Sequence, residues 1–126
     1  PDWWEAAGII ERHARRDEVI LTGGFLSGEA LVYHLREPDR FSFHHYVTGM
    51  DPFYLECRSP QVVWYVNAAP LPRAYEDIVR RYFPWSVRME GNMGADGILV
   101  CAKKPFSLSG GTAAEHREPA PLPYEK

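Results

Sequence analysis

The chain is predicted to fold as a three-layer α/β domain. It would have a small, mostly parallel sheet of about five strands, helices on both faces, and a C-terminal antiparallel hairpin. Three observations carry that expectation. Segments with helical spacing of apolar residues alternate with short β-branched or aromatic runs, the order that builds a parallel sheet covered on both sides. The run EVILT at 18–22 is apolar between charges and a Gly-Gly pair, the signature of a strand buried on both faces. A length of 126 residues gives room for one domain with a real core and not for two.

The elements follow in order. Asp2 and Glu5 have the spacing of a capping box, and Trp3, Ala7, Ile10 and Ala14 recur on one helical face. His13, Arg15 and Arg16 place positive charge near the carbonyl end of this first helix, and Asp17 ends it. After the strand 18–22, Ser27 is expected as the N-cap of a second helix reaching Leu35, with Ala30, Leu31, His34 and Leu35 inward and Pro38 closing it. Residues 40–47 alternate Phe41, Phe43, His45 and Val47 against Ser42, His44 and Tyr46, a strand with two unlike faces. Asp51-Pro52 opens a short helix through Cys57, and QVVWYV at 61–66 is the most strand-like segment. Tyr75, Ile78, Val79, Tyr82 and Phe83 mark an amphipathic helix stopped by Pro84. Trp85–Met89 and Ile98–Ala102 read as the two arms of a hairpin. The strand 18–22 is expected at the centre, with 40–47 on one side, 61–66 on the other, and the hairpin beyond 61–66. The α/β domain is thus expected to span 1–104, with a Pro/Gly-rich tail at 105–126 whose order the sequence leaves open.

Composition excludes several classes of function. Apolar residues are 45% and charged residues 25%, ordinary values for a globular chain. A net charge of −3 with no Lys/Arg run argues against nucleic-acid binding. No stretch reaches the length of a membrane span, and there is no secretory signal pattern. A chain that opens on Pro1 with a helix starting at once is expected to be a segment of a longer polypeptide, or else a product of proteolytic maturation. Cys57 and Cys101 are too few for a disulfide framework; they are either one bridge or two buried thiols.

Chemistry-bearing motifs are sparse. Open α/β sheets bind ligands outside the carboxyl ends of their strands, which singles out Thr22, Gly23, Gly24, Ser27 and Asn67 as candidate ligand-binding residues. TGGFLSG at 22–28 matches neither a dinucleotide fingerprint nor a P-loop, so the glycines read first as a tight turn and second as a phosphate cradle. His44 and His45 are neighbours on a strand, point to opposite faces and cannot share one metal ion; no metal site and no cofactor is expected. Ser27 lacks a nucleophile elbow and Cys57 lacks a basic or His partner in sequence, so no catalytic residue is assigned. Trp3 and Trp4 cannot both face a core from one helical turn. The second reads first as a merely exposed ring and second as a contact for membrane headgroups or a partner domain.

Four stretches together carry a family resemblance: PDWWEAAGII at 1–10, DEVIL at 17–21, ALVYHL at 30–35 and QVVWYV at 61–66. They resemble the soluble domain of polytopic membrane glycosyltransferases of the protein-O-mannosyltransferase-like and aminoarabinose-transferase-like kind, which use polyprenyl-phosphate sugars. The resemblance implies a domain on the extracytoplasmic face of the membrane, attached to the membrane-embedded part of the same polypeptide and close to lipid headgroups or the acceptor substrate. It also implies that sugar transfer belongs to the parent enzyme, because the family's catalytic acidic residues lie in a loop between early membrane spans that has no counterpart here. The alternatives are a free-standing small-ligand or nucleotide-binding module using the Gly23-Gly24 loop, and a purely structural or interaction domain.

Overall fold

In the computed structural model, residues 2–45, 47–68, 70–89 and 97–125 are described, with backbone only at Asp2 and Phe25. The expected Asp2 side-chain cap, Tyr46 and the tip of the hairpin therefore lie outside the described residues. The elements are α1 (Asp2–His13), β1 (Val19–Gly23), α2 (Phe25–His34), a 3₁₀ turn (Pro38–Arg40), β2 (Ser42–His45), α3 (Met50–Arg58), β3 (Val62–Asn67), α4 (Arg73–Tyr82), β4 (Trp85–Met89), β5 (Ile98–Ala102) and β6 (Glu115–His116).

They form one mixed six-stranded sheet in the order β2-β1-β3-β5-β4-β6. β1 pairs in parallel with β2 and β3, while β5 runs antiparallel to both β3 and β4. This is the expected arrangement, with β1 flanked by β2 and β3 and the hairpin beyond β3. Crossovers between parallel strands are right-handed, so reversing direction along the sheet switches the face on which the helix lies. The path β1–α2–β2 moves one way and β2–α3–β3 moves back, which puts α2 and α3 on opposite faces. The cores agree. Ala6, Ala7, Ile9 and Ile10 of α1 pack with Leu31 of α2 and with Ile20 and Trp64 on one face. Phe53 and Cys57 of α3 pack with Ile78 and Val79 of α4 and with Leu21 and Tyr65 on the other.

Local differences from the sequence reading have physical causes. α2 begins two residues before Ser27, on Gly24 at φ 82°; a glycine in that region starts the helix without a Cβ penalty, and Ser27 moves into the first turn. The strand expected over 40–47 shortens to Ser42–His45, because Pro38 initiates a 3₁₀ turn through Arg40. α3 starts on Gly49 at φ 92°, ahead of Asp51. Glu5 ties α1 to a residue far along the chain. Its carboxylate accepts from Ser109 N (3.1 Å) and Ser109 Oγ (2.5 Å) and pairs with Arg12 at 3.3 Å.

Residues 105–125 pack onto the domain as a strap. Phe106 and Ala114 enter the α1–α2 core, β6 pairs with β4, and Leu122 enters the α3–α4 core. The strap ends at Glu125, whose carboxylate accepts from Tyr54 Oη (2.6 Å), from Tyr82 Oη and from Arg81 Nε (3.0 Å). Those donors hold the Glu125 carboxyl down to about 2, the Tyr54 hydrogen bond being the largest cause.

Candidate functional site

β1 sends its chain to the α2 face, whereas β3 sends its chain to α4 on the opposite face. The crevice between two such strands is where open α/β sheets bind ligands. A cavity of about 330 Å³ occupies that crevice, on the α3–α4 side. Its floor is Gly23, Tyr65 and Asn67, and its rim comes from the loops 47–49 and 70–72. The floor follows from strand register. Gly23 is paired with Asn67, and Tyr65 lies two residues before Asn67 on the same side of β3.

Of the five residues singled out from the sequence, the structure brings Gly23, Gly24 and Asn67 together on the cavity. Thr22 and Ser27 lie behind it. Thr22 faces the α2 side, its Oγ1 2.8 Å from His45 Nδ1. Ser27 is buried; its Oγ donates to Asn67 Oδ1 at 3.2 Å and accepts from Ala68 N at 3.0 Å. Ser27 thus orients Asn67 from the rear. Gly23 is required sterically, because a Cβ there would overlap the Tyr65 hydroxyl and lie 2.9 Å from Asn67 Cγ. Gly28 has a similar role behind the site, where a Cβ would overlap the His45 ring.

Tyr65 was not singled out by motif, since in QVVWYV it reads as a core residue. Its ring is fully buried, and its hydroxyl lies beside Gly23 near the Asn67 carboxamide. Burial pushes this phenol well above its ordinary pKa and outweighs its hydrogen bond with the Asn67 carboxamide, which acts the other way. The group is therefore a neutral donor at every ordinary pH. The sequence does hold a signal for it: Tyr65 and Asn67 are i and i+2 on the strand whose end was selected.

A larger cleft, about 560 Å³, lies between α1 and the end of α2. Its charges largely answer one another: Arg40 pairs with Glu37 at 3.8 Å and donates to the Glu11 carbonyl at 3.1 Å. The crevice at the strand ends has the stronger claim, because it lies at the switch point of the sheet. Trp3 packs partly against the α1–α2 core. Trp4, on this cleft, is 65% exposed with its ring edge-on to His34 at 5.0 Å. His44 and His45 do point oppositely, His44 to Glu56 of α3 and His45 to Thr22.

Cys57 and Cys101 are two free, buried thiols, each pushed up to about 12 by burial, which makes both poor nucleophiles. Among the described residues no three His, Cys, Asp or Glu side chains gather around a point that could hold a metal ion. Comparison with known proteins finds no family model, no curated protein and no solved structure that matches the chain.

Proposed function

We propose that the chain is the non-catalytic extracytoplasmic domain of a polytopic membrane glycosyltransferase, one that moves a sugar from a polyprenyl phosphate to an acceptor outside the cytoplasm. The observation that carries this reading is the placement of the four resembling stretches. They fall in α1, β1, α2 and β3, which pack directly on one another around the α1–α2 core.

One further feature adds support. Trp4 stands exposed in the first turn of α1, where an aromatic ring suits the headgroup layer beside a preceding membrane helix. No helix among the described residues is long and apolar enough to cross a membrane. The reading is tested with a polyprenyl-phosphate sugar and its acceptor. Transfer requires the full-length gene product and is absent with the isolated chain; transfer by the isolated chain contradicts it.

A second reading, a free-standing small-ligand module, is favoured by the crevice at the ends of β1 and β3 and its buried Tyr65 hydroxyl.

A further inference from the structure

The geometry points to the groove between α4 and the β4–β6 edge of the sheet as a binding site for a phosphate monoester carried on an uncharged, hydroxyl-bearing body. The groove encloses about 430 Å³ and takes arginines from three separate elements: Arg80 of α4, Arg88 of β4 and Arg117 just after β6. Strand alternation places the last of these. Ala114 enters the α1–α2 core and His116 lies against the Trp85 ring at 4.5 Å, so Ala113, Glu115 and Arg117 turn the other way, into the groove. Only Phe83 and Pro84 separate α4 from β4, which puts the last turn of α4, with Arg80, beside the start of β4. Arg117 is fixed at that same end, its backbone N–H bonded to the Pro84 carbonyl at 2.8 Å.

Among the described residues, neither Arg80 nor Arg117 has an ion-pair partner. A second observation singles out Arg117. Its Nε–H is buried and finds no acceptor, a costly state for a charged donor. The residue as a whole is half-buried, and a turn about its long side chain carries that edge into the groove. Guanidinium forks that converge from a helix, a strand and the strap suit a tetrahedral oxyanion, with acceptors in several directions, better than a planar carboxylate. Glu76, one turn before Arg80, and Glu115, opposite Ser86, also line the groove, farther from the α4–β4 turn than Arg80 and Arg117. Ionised carboxylates only accept, so they suit hydroxyls on the body of the ligand and repel a second anionic group. The exposed large hydrophobic side chains among the described residues, Trp4, Leu26, Tyr33, Leu55 and Tyr124, all lie outside the groove, which fits a soluble ester and not a lipid surface.

This assignment does not depend on whether the domain stands alone or within a larger enzyme. The test is heteronuclear NMR titration of the chain with glycerol phosphate, glycerol and phosphoglycerate, alongside co-sedimentation with phosphatidylcholine vesicles that contain phosphatidic acid. Glycerol phosphate is expected to give saturable shifts at the amides of Arg80, Ser86 and Arg117. It should bind more tightly than phosphoglycerate, whose extra carboxylate meets Glu76 and Glu115, and glycerol should not bind. Arg80→Ala, at an exposed helix position, should weaken the ester about tenfold, the value of a charge-assisted hydrogen bond. Arg117→Met should do the same while leaving the thermal midpoint unchanged or raised, since it removes a buried donor that lacks an acceptor. Should that variant not fold, Arg80→Ala carries the decision. Arg73→Ala, on the same helix but outside the groove, should change nothing. The proposal is overturned if glycerol phosphate gives no saturable shift at these amides, or if glycerol or phosphoglycerate matches it. It is equally overturned if Arg80→Ala leaves the affinity unaltered, if Arg73→Ala lowers it as much, or if the vesicles bind and the soluble ester does not.

Discussion

Replacing Glu18 with alanine is expected to destabilise the fold by about 2–4 kcal/mol, mostly through one stranded donor. Glu18 stands at the start of β1, and its Oε1 accepts from Trp64 Nε1 at 3.0 Å and from Arg15 N at 2.8 Å. Its Oε2 meets Lys104 Nζ at 2.7 Å, and the side chain is only 12% exposed. Arg15 and Lys104 have access to water and can replace the lost partner. Trp64 is fully buried and cannot, so its indole N–H is left unsatisfied at about 1–3 kcal/mol. The lost charge-assisted bonds to the two accessible donors contribute about another 1 kcal/mol after rehydration. Glu18→Gln keeps an acceptor for Trp64 and should lose only about 1 kcal/mol, as should Lys104→Ala, which removes the solvent-facing partner alone.

The same residue has a pH signature. Burial raises the Glu18 carboxyl, but the hydrogen bonds from Lys104, Trp64 and Arg15 together outweigh it and leave the group below its ordinary value. The folded state then binds this proton less readily than the unfolded state. Its stabilising contribution is complete above the unfolded value of 4.5 and disappears as pH falls through the lower folded value. Urea denaturation of the parent chain and of Glu18→Gln at pH 7 and below pH 4 reads both effects. The gap between the two proteins should narrow in acid. A Glu18→Ala loss below about 0.5 kcal/mol, or one matched by Lys104→Ala, refutes the primacy of the Trp64 donor.

Two further changes probe other parts of the account. Leu122→Ala, at a strap residue 4% exposed in the α3–α4 core, should cost about 2–3 kcal/mol by urea denaturation; an unchanged midpoint would mean that the strap adds nothing to that core. Gly23→Ala should cost about 1–3 kcal/mol through overlap with the Tyr65 hydroxyl. Tyr65→Phe should recover part of that loss in the double variant, and strictly additive effects would place the clash elsewhere.

The sheet was legible because its signals are collective. EVILT at 18–22 is an apolar run between charges and a Gly-Gly pair, which reads as a central strand, and Trp85–Met89 and Ile98–Ala102 have no intervening helix pattern, which reads as a hairpin. Helix starts were less legible. Ser27 and Asp51 have the chemistry of N-caps, but positive-φ Gly24 and Gly49 took that position, and a cap preference worth about 1 kcal/mol yields to the path the chain must take at the strand end. Residues 105–125 show a polar, Pro-rich composition, and their anchors, Phe106, Ala114 and Leu122, are too widely spaced to show any period. At the candidate site, the rule about carboxyl ends found Gly23, Gly24 and Asn67. It could not separate Thr22 from Gly23, since facing depends on register, and it passed over Tyr65, which reads as a core residue until strand register sets its hydroxyl beside Gly23.

On the proposed function, the reacting groups lie in membrane-embedded chain outside this domain. The most direct measurement is the sequence of the full-length gene product on the N-terminal side of Pro1. Many hydrophobic spans, with an acidic loop between the early ones, are the predicted result. A gene product that begins at or near Pro1, with no spans, contradicts the claim.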